Sequence, residues 1–159
     1  MKHAIIFVFV VAMFTNCSVF QNRVYGNAPE LSTKQLVDWK NKCGQWYSKT
    51  TSNDNEIREE LSTIYEDGTF SILFKETNKD GSVKFHKELG EWGISGNIYF
   101  TIIKSVIENG VQEEVDPLSP YYRDAYVIKN LTDKKCTYQH ISTKDTYTET
   151  KVDKKFELK

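Results

Sequence analysis

Three cysteines, three histidines and two adjacent glutamate pairs are the residues of this 159-residue sequence whose types could do chemistry. No Cys-x-x-Cys occurs, so thiol redox and zinc patterns have no support. His86 alternates with Lys84 and Glu88, as on a solvated polar face. His140 shares a strand face with Cys136 and Tyr138, and a lone interior histidine is more often a hydrogen-bonded core residue than a ligand. Glu59-Glu60 and Glu113-Glu114 are neighbours that point to opposite faces of a strand, so neither pair makes a catalytic dyad within one strand. Glu76-x-Asn78-x-Asp80-Gly81 imitates the start of a calcium loop, but its twelfth position is Lys87, where a bidentate carboxylate must sit. A polar hairpin turn explains these residues better. Gly-x-Ser-x-Gly, His-Glu-x-x-His, the phosphate loop and Gly-x-Gly-x-x-Gly do not occur. The reading is therefore non-enzymatic, with no catalytic residue, no metal and no cofactor expected. An enzyme would need a site built from His140 and distant carboxylates. One cluster is more informative: Trp92, Tyr99, Tyr122, Tyr126, Tyr138 and His140. Aromatics with polar tips suit a ligand cavity or a protein-binding rim, and ordinary core packing is the plain alternative.

The amino-terminal segment indicates export. Lys2 and His3 precede an uncharged apolar run of 11 residues, Ala4 to Phe14. That is signal-peptide length and too short to span a bilayer, which takes ~20 apolar residues. Phe14-Thr15-Asn16-Cys17-Ser18 then resembles the lipobox of bacterial lipoproteins, which implies acylation of Cys17 and a membrane anchor facing the periplasm. Ordinary cleavage and secretion is the rival outcome. Giving Cys17 to lipid leaves an even pair, Cys43 and Cys136. In an oxidising compartment the two could form a disulfide worth roughly 4 to 5 kcal/mol; two separate buried thiols are the alternative.

Beyond residue 16 the chain keeps 20 Lys and Arg against 22 Asp and Glu, so it has no field to attract nucleic acid. About 143 residues suffice for one domain. All nine tyrosines, all three tryptophans and six of nine phenylalanines lie there, favouring strands and a packed interior over disorder. The expected organisation is a signal at 1–16, a flexible tether at 17–30 (broken by Gly26, Asn27 and Pro29) and one domain at 31–159.

These candidate residues must be held by regular elements, and the patterning supplies them. Ser32 as N-cap with Gln35 three residues on, and Leu31 facing Leu36, predict a short helix to about Lys42. From Gln45 the period changes to two. Turn chemistry recurs at Glu66-Asp67-Gly68, Asn78 to Gly81, Ser95-Gly96-Asn97, Glu108-Asn109-Gly110, Asp116 to Pro120, Leu131-Thr132-Asp133 and Thr143-Lys144-Asp145. About nine strands lie between these turns, which predicts an all-β, antiparallel up-and-down barrel of about 8–10 strands behind a short N-terminal helix. Phe70, Ile72 and Phe74 share a buried face. Val83, Phe85 and Leu89 are expected to face inward, with the phase slipping at Gly90 through a bulge that carries Trp92 and Ile94.

With these elements placed, the chain resembles the small bacterial lipocalin-like (calycin) domains over roughly Leu31 to Leu158. The likeness rests on Gly44-Gln45-Trp46, on Glu66-Asp67-Gly68-Thr69-Phe70, on Gly90-Glu91-Trp92-Gly93-Ile94 followed by Gly96-Asn97, and on the late strand from Tyr122 to Leu131. It implies structural roles for Gly44 and Trp46, with Trp46 plugging the closed barrel end. It also implies a cation from the last strand over that ring, for which Lys151 or Lys154 could serve. The function it implies is the binding of a small apolar or amphipathic ligand. The alternative is an envelope protein that binds a protein partner, such as an inhibitor or immunity factor of a hydrolase.

Overall fold

A computed structural model describes residues 32–52, 55–116 and 118–159. The predicted signal, Cys17, the tether and Leu31 lie outside the described residues. Helix α1 (Thr33–Lys42) begins where the sequence requires: the Ser32 side chain accepts from the Gln35 amide, and the Gln35 side chain accepts from the Ser32 amide. Such a capping box stabilises a helix start by about 1 kcal/mol. Lys40 and Lys42 in the last turn suit the negative end of the helix dipole.

Nine strands follow: β1 (Gly44–Thr51), β2 (Ile57–Ile64), β3 (Thr69–Thr77), β4 (Val83–Ser95), β5 (Ile98–Glu108), β6 (Val111–Glu114), β7 (Arg123–Leu131), β8 (Lys135–His140) and β9 (Thr146–Val152). A 3-10 turn, Pro120–Tyr122, precedes β7. Each pairing is antiparallel. The ladder runs β1-β2-β3-β4-β5-β7-β8-β9 and returns to β1, so eight strands close a barrel and none of the eight has an open edge. Strand β6 stands apart as a hairpin arm on β5.

Alternation sends every second residue inward. Trp46, Ile64, Phe70, Trp92, Tyr99, Ile103, Cys136 and Tyr138 meet in one cluster at the barrel end capped by α1. Trp39 of the helix stacks on Trp92, with ring centroids 4.2 Å apart. Aromatic pairs of this kind are worth about 0.5–1.5 kcal/mol beyond area burial, so the stack fixes where the helix sits.

Two expectations need correction. The first concerns β4, whose ladder with β3 runs unbroken from Thr69 opposite Glu91 to Thr77 opposite Val83. His86, Glu88, Gly90 and Trp92 therefore face inward with Phe74, Ile72 and Phe70, while Val83 and Phe85 face out, nearly half exposed. His86 is not on a solvated face: its ring stacks on Phe74. A register shift does fall between Leu89 and Gly90, but the extra residue is Lys104 of β5. Gly90 is required by packing, because a Cβ there would lie 2.1 Å from the Ile102 carbonyl and 2.7 Å from the Phe70 ring. The second correction is that Cys43 and Cys136 are both free thiols. Cys136 faces the packed interior from β8, whereas Cys43 caps α1 and lines a shallow outer cleft with Lys40 and Glu66.

Candidate functional site

The barrel is a cup, filled at the helix end and open at the other. Its floor is built around Lys42, a lysine only 1% exposed. The ammonium lies 4.6 Å from the Tyr99 ring centroid and 5.2 Å from those of Trp46 and Tyr138, and 2.7 Å from Glu149 Oε2. Glu149 Oε1 accepts from the Tyr138 hydroxyl. Burial alone would depress the lysine pKa. The adjacent Glu149 carboxylate, aided by Tyr99, reverses this and holds it above its ordinary value. Trp46 is wholly buried, donates from its indole nitrogen to the Lys42 carbonyl, and has Lys151 Nζ 4.9 Å over its ring. Lys151 donates in turn to the Asn41 carbonyl. The cation that the resemblance asks for over this ring is thus present, as a lysine. Gly44 lets the chain turn tightly out of α1 at φ +123°, where a Cβ would strike the Lys151 side chain.

Above the floor lies a cavity of about 740 Å³, within the ~300–1,000 Å³ usual for small-molecule sites. Tyr99, Tyr126, Tyr138 and His140 line it, as does Tyr147 of β9. Tyr126 is central, in ring contact with Tyr99, Tyr138, Tyr147 and His140. Two predicted residues do not join them. Trp92 belongs to the packed floor and donates to the Tyr65 carbonyl. Tyr122 packs edge-on against Tyr121, and it is Tyr121, 82% exposed, that reaches the mouth.

The opposite wall is polar. Arg58, Glu60 and Ser62 are successive inward residues of β2, and Glu88 is inward on β4. Glu60 accepts from Arg58 Nε at 3.0 Å and from the Ser48 hydroxyl at 3.3 Å, and the guanidinium lies 4.4 Å over the Phe74 ring. Burial raises the Glu60 pKa against the pull of Arg58. Burial likewise pushes Glu88 up to about 7, with Asp124 and Glu60 adding and Arg58 opposing. Glu59, the outward neighbour of Glu60, pairs instead with Lys75 and Tyr47, as strand alternation requires. Ser62 is 4% exposed, and its hydroxyl has no hydrogen-bond partner among the described residues.

His140 Nε2 lies 3.2 Å from Asp124 Oδ1, and its Nδ1 accepts from the Thr143 amide. That amide bond places the neutral ring's proton on Nε2, facing the carboxylate. The pair ties the end of β8 to β7 beside the mouth.

Sequence reasoning missed Arg58, Glu60, Ser62, Glu88, Asp124 and Tyr147. The pattern Arg58-x-Glu60-x-Ser62 was visible, but a polar alternating face reads as outward until the strand's partners are known.

No protein-family model matches the sequence, and no curated protein does. Among solved structures, a lipocalin-like protein from Bacteroides uniformis ATCC 8492 is similar, at 14% identity and a TM-score of 0.45. The match covers 70% of this chain and 99% of that chain. The fold follows from the strand ladder itself. With eight antiparallel strands closed on themselves, a short helix over one end and Trp46 beneath it, the chain carries a lipocalin-like barrel.

Proposed function

We propose that this protein binds one small amphipathic molecule in the barrel lumen and performs no chemistry on it. The carrying observation is the cavity of about 740 Å³, whose aromatic side is Tyr99, Tyr126, Tyr138 and Tyr147 and whose polar side is Glu60, Ser62 and Glu88. A barrel kept only for stability gains nothing from such a space, since unfilled volume and buried carboxylates both cost free energy. Protein isolated from its native host should carry a bound small molecule in native mass spectrometry. Thr50→Trp, at an exposed position lining the cavity, should lose that ligand while keeping the fold. A protein that emerges empty and takes up no amphiphile of any charge would defeat the reading.

The leader supports a second element of the proposal: export, with Cys17 as the lipid-anchor site in the cell envelope. Metabolic labelling with a fatty acid should mark the wild type and not Cys17→Ala, and equal labelling would remove the anchor. A protein partner at the envelope is the competing reading. It is favoured by Val83 and Phe85, which stand nearly half exposed on the outer face of β4.

A further inference from the structure

Lipid-binding barrels are expected to be greasy inside, and this one is acidic. Four carboxylates line the cavity, from Glu60, Glu88, Asp124 and Glu149, against two guanidiniums, from Arg58 and Arg123. Lys42 answers Glu149 and Arg58 answers Glu60. Asp124 faces His140. Glu88 has no ion pair and no hydrogen bond among the described residues, although it is inward on β4 and faces the cavity. A second, independent feature lies in the same row of the sheet. Ser62 is opposite Ile72, and Ile72 is opposite Glu88. The Ser62 hydroxyl is a buried side-chain polar atom with no hydrogen-bond partner among the described residues, and Ser62 borders the same cavity.

The floor shows how this barrel accommodates a positive charge. Lys42 is held by a carboxylate and by the faces of three rings. The upper chamber holds the same kinds of group on facing walls, Glu88 on one and Tyr126 and Tyr147 on the other, and no lysine is among the described residues that line it. An anionic head would meet Glu88 and Glu60 at close range, and a neutral apolar body would leave Glu88 and Ser62 without partners.

We propose that the lumen selects an organic cation: a primary or secondary ammonium on an apolar body, its N–H groups donating to Glu88 and Ser62 and its charge lying against Tyr126. This rests on the ligand-binding reading above and assigns the ligand's charge. Each contact belongs to a familiar class, a charge-assisted hydrogen bond to carboxylate and a cation over an aromatic face.

The test is calorimetric titration of the purified protein at pH 8 with decylamine, decanol, decanoate and decyltrimethylammonium, all below their micelle concentrations. Decylamine should bind at least tenfold tighter than decanol, and decanoate weaker than both. Glu88→Gln should cut decylamine affinity at least tenfold and leave decanol within twofold, which also shows that the variant is folded. Ser62→Ala should weaken decylamine severalfold and leave the quaternary ion, which has no N–H to donate, unchanged. Decanol binding without preference for the amine, or an amine preference that survives Glu88→Gln, would overturn the cation assignment alone. If none of the four binds, the ligand-binding reading falls with it.

Discussion

The ammonium of Lys42 and the carboxylate of Glu149 form an ion pair between the only α-helix of the described residues and the last strand, with side chains 1% and 7% exposed. Removing one partner from such a pair leaves a buried charge with no answer, a loss of about 3–5 kcal/mol. Lys42→Met and Glu149→Leu should each lower the urea midpoint strongly. The double variant Lys42→Met/Glu149→Leu should lose much less than their sum. Additive losses across the four proteins would show that the two side chains act independently.

Glu88 gives the stability a pH dependence whose sign is fixed. Its carboxyl titrates at about 7 in the folded protein, against an ordinary value of 4.5. Between those values the folded state holds a proton that the unfolded chain releases, so this group's contribution falls as pH rises from about 4.5 to about 7 and is constant beyond. Arg58 opposes the shift, while Asp124 and Glu60 reinforce it. His86, lowered chiefly by burial, contributes in the opposite direction as pH rises through its own range. The difference between wild type and Glu88→Gln isolates the carboxylate. The variant should match wild type near pH 4 and exceed it by about 2 kcal/mol at pH 8, a figure discounted for partial exposure. A difference that does not vary with pH would contradict the assignment.

Gly90 and Gly81 separate packing from backbone strain. A methyl group at Gly90 would overlap the Ile102 carbonyl and the Phe70 ring, whereas nothing lies within 4 Å of one at Gly81, where φ is +82°. Gly90→Ala should cost about 3 kcal/mol or more, through displaced backbone and ring. Gly81→Ala should cost only about 1 kcal/mol, the strain of a left-handed alanine. Equal denaturation midpoints for the two would refute the close approach at Gly90.

The thiols should behave unequally. Burial raises both pKa values, that of Cys136 to about 11. Cys43 is only partly buried beside an outer cleft and should react slowly with a maleimide in the native protein. Cys136 should react only on unfolding, and a reductant should leave the melting temperature unchanged. A drop on reduction would restore the disulfide.

Much of the architecture was legible because local chemistry announces it. Ser32 and Gln35 define a helix start without help from the rest of the fold. The Asn109-Gly110 pair, both at positive φ, marks a hairpin in the same way. The lumen was not legible, because facing is a property of pairs of strands. On β4, Val83, Phe85 and Leu89 form the apolar set, and the rule that apolar residues face inward selects the wrong side. Inside this cup the rule is locally reversed: His86 and Glu88 face the cavity side because Phe74 and Ile72 are their ladder partners. Likewise, counting cysteines by parity says nothing about where their side chains point.

The barrel closes by joining its earliest elements to its last. Lys42 reaches Glu149 and Lys151 reaches Asn41, 107 and 110 residues apart, and β9 completes the ring beside β1. Such long loops must be closed before these contacts contribute, which places folding in the slow, millisecond-to-second regime of non-local β proteins. The chain therefore commits late: until Thr146–Val152 is available, the floor has no counter-ion, the sheet keeps two open edges, and a ligand has no vessel to enter.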